Sequence, residues 1–427
     1  MKLLQSIVAM ALAFTCGVAA AQANAPILAL AKAEQPKLLK TLEEIVNIES
    51  GSGDREGLDR LATLLGERLK AVGGEVELIE PDPAQIYRMH DTPAKIGRMV
   101  KAVFKGSQGA SGKKMMLIAH MDTVYLKGML AKQPFRIEGN RAYGLGIADD
   151  KGGVAIILHT MAMLQQANFK DYGQITVLIN GDEEISSPGS RTLLTQLGAE
   201  QDVVFSCEGT SVDNDRLSLA TSGIGAVTLK VTGRASHAGA APHLGVNALY
   251  ELSHQIMQMR DLSKPAVGLK LNWTVSKAGT NRNVIPADAV AYADVRVLRV
   301  EDYEGIEKAV AEKIKTKLLP ESVVEMTFER RRPPLEPTEA GRRVGEHAAK
   351  VYKEIGRDLA VIETAEGGGT DAAFASLKAK GAVLERFGLA GFGGHSNNAE
   401  YIRIDSIEPR LYLLARMVMD VGLGKVK

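Results

Sequence analysis

The amino-acid sequence predicts an α/β protein whose chain is interrupted by a smaller α+β domain, and three observations lead to this prediction. In the first half of the chain, short and uniformly apolar runs alternate with helical patterns, as is typical of strands buried on both faces. Near Gly223 the strands begin to alternate apolar and polar residues, which predicts a sheet with one face in contact with solvent. After residues 330–334 the first pattern returns.

Two amphipathic helices begin the first domain. Apolar residues recur at helical spacing over residues 38–46 and again over residues 58–69, and a polar turn at residues 50–54 separates the two helices. Short apolar runs, which are expected to form buried strands, follow at residues 115–119, 175–179 and 203–205. A helix is predicted over residues 154–166, between the first two of these strands.

The inserted domain is predicted to have the element order β-α-β-β-α-β, which is typical of ferredoxin-like α+β sandwiches. Its strands are expected at residues 227–231, 269–275, 290–297 and 324–328, and its helices at residues 249–259 and 306–314. A strand at residues 382–384 and a helix at residues 407–421 return to the first domain. We therefore expect one domain formed by residues 24–221 and 334–427, with residues 222–333 inserted into it.

The composition excludes several classes of function. The chain has 427 residues, of which 45% are hydrophobic and 24% are charged, which is ordinary for a globular protein of two or three domains. Its 52 Lys and Arg residues against 51 Asp and Glu residues give a net charge of +1, so no basic excess is present and a nucleic-acid partner is not expected. No apolar run reaches the roughly 20 residues that a membrane span requires.

The first 23 residues are predicted to be a secretory signal peptide, so that the protein is expected to be periplasmic or secreted. Lys2 precedes an apolar run over residues 7–21, and small residues up to Ala23 then offer cleavage sites. A membrane anchor is the alternative, although the run is short and lacks a stop-transfer flank. After cleavage Cys207 is the only cysteine, so no internal disulfide can form, and a buried apolar environment is expected for it.

Histidine and acidic residues follow directly after the three predicted strands. His120 ends the first apolar run, and Asp122 lies two residues further on, where its carboxylate can orient the imidazole. Glu183 and Glu184 follow the second run, and Glu208 follows the third. Carboxyl ends of strands in an open α/β sheet are where binding sites gather. Each of these segments, taken alone, is also compatible with a solvated loop or a hydrogen-bonded structural histidine.

Two glycine-rich segments carry residues of the same chemistry. Asp149 lies within residues 144–153, just before a predicted helix, and His395 lies within residues 391–396. Asp149 could cap that helix or bind a metal, and the segment alone does not decide between these roles. Considered together, two histidines and several carboxylates form a ligand set suited to zinc, and two divalent cations would offset the clustered negative charge.

Seven blocks of sequence together resemble a known enzyme family. They are His120–Tyr125, Gly146–Gly153, Asp182–Glu184, Ala235–Gly239, Asn283–Pro286, Gly367–Asp371 and His395–Ser396. With these blocks the chain resembles the co-catalytic zinc aminoacylase/carboxypeptidase family, and within it the glutamate carboxypeptidase branch of the folate-cleaving carboxypeptidase G type. The likeness extends over nearly all of the mature chain.

This resemblance implies a catalytic domain with a mixed sheet and two Zn²⁺ ions per subunit. It also implies that the inserted domain is a lid and dimerisation module, so that a homodimer is expected. Asp149 would bridge the two ions, and the remaining ligands would be His120 and Glu208 for one ion, and Glu184 and His395 for the other. The peptide bond after Asp149 is expected to be cis, as is typical of the family.

The resemblance also implies catalytic and substrate-binding roles. Glu183 would be the general base, and Asp122 would orient the neighbouring histidine ligand. His237 would help to stabilise the reacting carbonyl oxygen, in its own site or in that of the partner subunit. Asn283 and Arg332 would hold polar groups or the free carboxylate of the substrate.

The implied reaction is metal-assisted hydrolysis of the amide bond to a C-terminal glutamate in peptide, N-acyl or folate-type substrates. A guanidinium matches a planar carboxylate, and Arg330 is a rival to Arg332 for this role. Alternatives within the family are deacylation of other N-acyl amino acids and cleavage of dipeptides. A periplasmic solute-binding protein without catalysis is an alternative of another class, but it leaves the predicted ligand set unexplained.

Overall fold

The computed structural model describes residues 22–396 and 399–426. The predicted signal peptide, residues 1–23, therefore lies almost entirely outside the described residues. Within the described ranges, no helix combines the length and the apolar character that a bilayer crossing requires.

Helices and strands alternate along much of the described chain. The helices are α1 (Ala25–Val46), α2 (Arg55–Ala71), α3 (Gly152–Gln166), α4 (Arg191–Gly198), α5 (Ala248–Gln258), α6 (Asp302–Lys313), α7 (Glu339–Lys353), α8 (Ala372–Ser376) and α9 (Ile407–Gly422). The strands are β1 (Glu75–Ile79), β2 (Met99–Lys105), β3 (Lys114–His120), β4 (Arg136–Glu138), β5 (Arg141–Tyr143), β6 (Gln174–Asn180), β7 (Val203–Ser206), β8 (Thr210–Ser211), β9 (Arg216–Ser218), β10 (Gly223–Thr232), β11 (Ser236–His237), β12 (Lys270–Ala278), β13 (Val284–Ile285), β14 (Asp288–Val297), β15 (Val323–Arg332), β16 (Ala360–Ile362), β17 (Ala382–Leu384), β18 (Ala390–Phe392) and β19 (Tyr401–Arg403).

The largest sheet has six strands in the order β1-β2-β6-β3-β7-β17. Strand β3 pairs in parallel with β6 and β7, whereas β1 and β2 run antiparallel to their neighbours. The runs predicted as strands are confirmed as β3, β6 and β7, and their side chains are almost all buried. The fold is therefore α/β with a mixed sheet, and the parallel strands β3, β6 and β7 end at one edge.

Helix α1 is longer than the sequence predicted. The sequence predicted it only from residue 38, where the regular apolar spacing begins. Pro36 removes a backbone hydrogen bond within the helix, which costs about 3 kcal/mol. In the structure α1 begins after Asn24, whose side chain accepts the N–H of Ile27, and it continues through Pro36. Its buried face packs against α3 and α9. Burial of each large apolar side chain stabilises the fold by about 1.5–3 kcal/mol, so the buried face of α1 more than offsets the cost of Pro36.

A second sheet has four antiparallel strands in the order β12-β14-β10-β15. Along β10 buried and less buried residues alternate, as the sequence predicted for a strand with one wet face. Helices α5 and α6 pack on the sheet over a separate hydrophobic cluster. The β-α-β-β-α-β order is thus confirmed, while the division of the chain into two domains stays a prediction.

A third sheet was not predicted from the sequence. It has the order β4-β5-β19-β18-β8, and each of its strands is only two or three residues long. Strand β19 pairs antiparallel with β5, and β18 pairs in parallel with β8. This sheet places the loop after β18 next to the segment that follows β5, although these lie far apart in the sequence.

Candidate metal centre and active site

His120, the last residue of β3, is fully enclosed by its neighbours. Its Nδ1 atom lies 3.1 Å from the backbone carbonyl oxygen of Asp122 and 3.3 Å from the Asp122 Oδ1 atom. A carbonyl oxygen only accepts hydrogen bonds, so Nδ1 is the nitrogen that carries a proton in the neutral ring. The Nε2 lone pair then faces Asp149 Oδ1 at 3.0 Å and Glu208 Oε1 at 3.6 Å, in the orientation of a metal ligand.

Asp149 lies between the two predicted histidine ligands. Its Oδ1 atom faces His120, and its Oδ2 atom lies 3.3 Å from Nε2 of His395. The same His395 nitrogen lies 3.2 Å from Glu184 Oε2. The peptide bond between Asp149 and Asp150 is cis, as the resemblance implied.

Asp122 connects the histidine to the acidic turn after β6. Its carboxylate accepts the backbone N–H groups of Glu183 at 3.0 Å and of Glu184 at 3.1 Å. It also accepts the Ser52 hydroxyl at 2.7 Å. The fully buried Asp122 therefore fixes the turn that carries Glu183 and Glu184 relative to His120.

The donor atoms of this cluster are close enough for one cation to touch several of them. Two groups of side chains have donor atoms within 4.8 Å of one another, namely His120, Asp149 and Glu184, and His120, Asp150 and Glu208. Asp150 was not predicted as a donor. The sequence signal for it was only its position beside Asp149.

The electrostatics of the cluster are those of a site that lacks enough positive charge. Burial, together with the charge of Asp149, raises the pKa of Glu184 to about 8. Burial and nearby acids raise the pKa of Glu208 well above its usual range. Hydrogen bonds to Asp149 and Glu184 raise the pKa of His395 to about 10. A divalent cation would relieve this repulsion, so the set of imidazole and carboxylate donors fits zinc.

Glu400 is a site residue that the sequence reasoning missed. This buried carboxylate accepts the backbone N–H groups of Gly146 at 2.9 Å, Ala148 at 2.8 Å and Asp149 at 3.1 Å. It also accepts the Tyr125 hydroxyl at 2.5 Å. Glu400 therefore fixes the loop that carries Asp149. The sequence showed only an acid after a glycine-rich loop, and no local pattern marks a carboxylate that acts through backbone groups.

Glu183 and Arg332 are buried together. An Arg332 Nη1 atom contacts the Glu183 carboxylate, and the Nη2 atom donates to the Glu183 backbone oxygen at 2.5 Å. Nη1 also donates to the carbonyl oxygen of Gly369 at 2.5 Å. Its rival Arg330 is exposed and pairs with Glu307 at 2.8 Å. Of the two arginines, Arg332 is the one beside the acidic turn.

A cavity of about 680 Å³ opens over the cluster, and Asp149, Glu183, Glu208 and His395 contribute to its wall. His237 and Asn283 are exposed and are not among the described residues that line it. His237 Nδ1 accepts the N–H of Ala240 at 3.0 Å, and the structure does not bring this ring to the cluster within one chain. The roles implied for His237 and Asn283 stay predictions.

The structure also shows the surroundings of Cys207 and of Arg296. Cys207 is completely buried, as predicted for an apolar environment. Arg296, which lines the cavity, pairs with Asp294 at 2.9 Å and donates to the Gly367 carbonyl oxygen at 2.9 Å.

A family model described as Peptidase family M20/M25/M40 matches residues 116–420. The chain is 46% identical over 417 residues to carboxypeptidase G2 of Pseudomonas sp. (strain RS-16), and the alignment covers 97% of each chain. It is also 30% identical over 241 residues to acetylornithine deacetylase of Shigella sonnei, which covers 54% of this chain and 57% of the relative.

Solved structures show the same fold. Aminopeptidase PepT from Bacillus cereus superposes with a TM-score of 0.74 at 20% identity, covering 91% of this chain and 98% of that one. The M20 family metallo-carboxypeptidase Sso-CP2 from Sulfolobus solfataricus superposes with a TM-score of 0.72 at 16% identity, covering 91% and 99%.

Proposed function

The chain belongs to peptidase family M20/M25/M40 and is a glutamate carboxypeptidase-like metallohydrolase, and on this basis we propose its substrate and the residues that act on it. The substrate is a peptide, an N-acyl amino acid or a folate-type amide that ends in glutamate with a free carboxylate. The observation that carries the proposal is the position of Asp149, whose two carboxylate oxygens face two different histidines within an acidic cluster.

Two Zn²⁺ ions are part of the proposal. The residues that would hold them are His120, Asp149 and Glu208 for one ion, and Glu184, Asp149 and His395 for the other. When bound, zinc supplies a Lewis acid that polarises the scissile carbonyl group and lowers the pKa of water toward neutrality. The distances of 3.0 to 3.6 Å between these donors and the histidine nitrogens support this assignment.

Glu183 acts as the general base in this proposal. It takes a proton from the attacking water and passes that proton to the leaving amine. Asp122 supports this role because it holds the backbone N–H of Glu183 and thereby fixes the position of the carboxylate relative to His120. The low exposure of Glu183 keeps bulk water away from the proton transfer.

Arg332 binds the free carboxylate of the substrate. Its guanidinium contacts the Glu183 carboxylate, so an incoming carboxylate would take over this contact and leave Glu183 available as a base. The position of Arg332 in the cavity wall supports this choice over Arg330, which is engaged with Glu307 on the surface.

A homodimer and export complete the proposal. The inserted region 222–333 exposes Tyr250, Met257 and Val267 to about two thirds of their full extent, and apolar side chains of this kind favour an interface. His237, also exposed on this region, would then serve the site of the partner subunit. Sedimentation analysis tests the dimer, and an active monomer would contradict it. Amino-terminal sequencing of the exported protein tests cleavage near Ala23.

The decisive experiment compares the release of amino acids from a set of N-acyl amino acids that share one acyl group. The zinc-loaded enzyme should release glutamate fastest. The Glu183→Gln variant should lose about 100-fold or more in kcat while it keeps its zinc, because only the proton transfer is removed. Glu307→Gln is the matched control, since Glu307 also pairs with an arginine but lies on the surface.

Two outcomes of the same experiment point elsewhere. Undiminished turnover by the Glu183→Gln variant would remove Glu183 from its role. A preference for acetylated basic amino acids over glutamate would favour the deacylase alternative, in keeping with the acetylornithine deacetylases among the relatives. The comparisons give no support to a solute-binding protein without catalysis.

A further inference from the structure

The loop between β1 and β2, residues 80–98, reaches from the six-stranded sheet to the inserted region. At its tip Asp91 forms a paired contact with Arg331 of β15, because the two carboxylate oxygens accept from Nη1 at 2.9 Å and from Nη2 at 2.8 Å. The adjacent His90 donates its backbone N–H to Glu329 Oε1 at 2.9 Å, and its Nδ1 atom lies 3.3 Å from Glu329 Oε2. The loop tip therefore binds two side chains of one strand of the inserted region.

The loop tip completes a cluster of charged side chains on this strand. Arg331 also pairs with Glu329 at 3.1 Å, and the two side chains are only 12% and 13% exposed. The ring of His90 stacks on Tyr292 of β14, with the ring centroids 6.0 Å apart. Burial alone would raise the pKa of Asp91, but Arg331 lowers it overall, so the carboxylate is ionised at neutral pH. Arg331 is therefore shared between a carboxylate of its own strand and one of the loop.

The strand that the loop binds also carries Arg332, the residue proposed to hold the substrate carboxylate. The pairing of β15 with β10 skips Arg331, because Arg330 and Arg332 pair with consecutive residues of β10. A β-bulge of this kind re-aims side chains. Arg331 accordingly contacts the loop, whereas the next residue, Arg332, contacts Glu183 in the acidic turn.

Arg191 connects the same point of β15 to the acidic turn. Its Nη2 atom donates to the backbone oxygen of Arg331 at 2.7 Å and to that of Ser186 at 2.5 Å. The ring of Tyr87, which belongs to the loop, packs on the Arg191 guanidinium group, whose Cζ atom lies 4.1 Å from the ring centroid. The N–H of Tyr87 donates to the backbone oxygen of Pro188 at 2.9 Å. The loop therefore contacts both the acidic turn and the strand that ends beside it.

The contacts between the inserted region and the rest of the described chain are mainly polar. One hydrophobic cluster lies within residues 227–328, and the two other clusters contain no residue of the inserted region. A cavity of about 370 Å³ separates α4 and α8 from Tyr303 and Arg330. Polar interfaces between two parts of a chain permit relative motion. The position of the inserted region therefore depends on contacts that can form and break.

We propose that the loop 80–98 is a latch that holds the inserted region over the cavity, and that Asp91 is a positioning residue for Arg332. Asp91 acts through Arg331, because their paired contact keeps the end of β15 beside the acidic turn, where Arg332 can meet a substrate carboxylate. When the latch opens, the end of β15 moves away and the cavity widens. The effect on substrate binding rests on the proposed function, whereas the latch itself does not.

Hydrogen–deuterium exchange of one amide tests the latch without any substrate. The His90 N–H is bound by Glu329 across the latch, so its exchange reports opening. In the full-length, zinc-loaded protein, Arg331→Gln should speed this exchange about fivefold or more, because the contacts of Asp91 and His90 open together. If the two contacts were independent, Glu329 would lose a competing partner and the exchange would stay the same or slow down, and that result would refute the latch.

The kinetics of an acyl-glutamate substrate test the positioning role. Asp91→Ala and Arg331→Gln should each raise KM about three- to tenfold with little change in kcat, because the apparent Kd rises as the fraction of enzyme with Arg332 in place falls. The double variant should be no worse than either single variant, since both changes break one contact, and additive losses would contradict the proposal. Glu363→Ala is the matched control. Glu363 is 46% exposed, as against 45% for Asp91, and it pairs with Arg342 at 2.9 Å outside the inserted region.

The two hypotheses fail in different ways. If the parent enzyme releases no C-terminal amino acid, the proposed function is wrong, and the exchange of the His90 amide still tests the latch. If the exchange rises while both single variants keep the parental KM, the positioning role of Asp91 is refuted. Zinc content and melting temperature measured for every variant separate opening of the latch from loss of metal or of the fold.

Discussion

Replacement of Glu400 by glutamine should weaken zinc binding without unfolding the protein. The Glu400 carboxylate accepts three backbone N–H groups of the loop 146–149 and the hydroxyl of Tyr125. A glutamine has one acceptor oxygen and one donor NH₂ group. If the glutamine oxygen keeps the hydrogen bonds from the N–H groups of Ala148 and Asp149, its NH₂ group faces the N–H of Gly146, and two donors then oppose each other. Tyr125 can reverse its hydroxyl and accept, whereas the backbone N–H of Gly146 cannot.

The size of the effect follows from these contacts. A hydrogen bond to a charged group contributes about 1.5–3 kcal/mol, and a buried N–H without a partner costs about 1–3 kcal/mol. The loop must be ordered for Asp149 to meet a cation, so a large part of this loss should appear in metal binding. A loss of about 1.4–2.8 kcal/mol corresponds to a 10- to 100-fold rise in the Kd for zinc.

The assay is a competition between the metal-free enzyme and a chromophoric zinc chelator. It should be run at about pH 8.5, because burial raises the pKa of Glu400 to about 7 and the carboxylate must be ionised for the comparison. Glu251→Gln is the matched control. Glu251 is buried and accepts the backbone N–H of Leu319 at 2.6 Å, but it lies on α5 in the inserted region.

The control should lose a comparable amount of stability and keep the parental Kd for zinc. The reasoning is refuted if the folded Glu400→Gln enzyme binds zinc as tightly as the parent. It is also refuted if Glu251→Gln weakens zinc binding to the same extent, because the effect would then reflect general destabilisation.

Three further predictions concern the metal, pH and packing. Removal of metal by a chelator should abolish turnover and lower the melting temperature, since buried acids then repel one another, and added zinc should restore both; an active metal-free enzyme would contradict this. Burial alone would raise the pKa of Asp420, but His347, Arg416 and Lys425 lower it overall. The ionised Asp420 therefore stabilises the folded state above the unfolded pKa of about 3.9, and this contribution is lost as the pH falls below that value. Urea unfolding should show that Asp420→Asn lowers the free energy of unfolding by about 1–3 kcal/mol at neutral pH and that this free energy declines less steeply on acidification than in the parent. Parallel pH profiles for variant and parent would exclude this role of Asp420. Gly153→Ala would place its methyl group 2.1 Å from the backbone oxygen of Cys207, so calorimetry should show a loss of about 1–3 kcal/mol, and an unchanged melting temperature would show that the helix start can shift.

The sequence predicted those parts of the site that follow long apolar strands. His120, Glu184 and Glu208 come directly after runs that are buried in the structure as β3, β6 and β7. Hydrophobic periodicity marks such strands clearly, and their carboxyl ends then locate the side chains. Asp149 and His395 were predicted as ligands through the resemblance to the family, because a glycine-rich segment by itself does not indicate which ligand it binds.

The sequence could not reveal residues that act through tertiary contacts. The strands that bring Glu400 to the loop of Asp149 are two or three residues long, which is too short for any periodic pattern. Helix α1 was predicted only from residue 38, and its first turns are stabilised by burial of Ile27, Ala31 and Glu34, which the apolar spacing did not indicate.

The short five-stranded sheet also has a consequence for biosynthesis. It pairs residues 136–143 with residues 390–403. One wall of the cavity therefore forms only after the last tenth of the chain has been synthesised. The proposed ligands His120, Asp149, Glu184 and Glu208 are synthesised long before this segment, whereas His395 arrives with it, so the complete ligand set is available only late in biosynthesis. Loss of the chain beyond residue 390 would remove His395 and also helix α9, whose side chains are part of the main hydrophobic cluster.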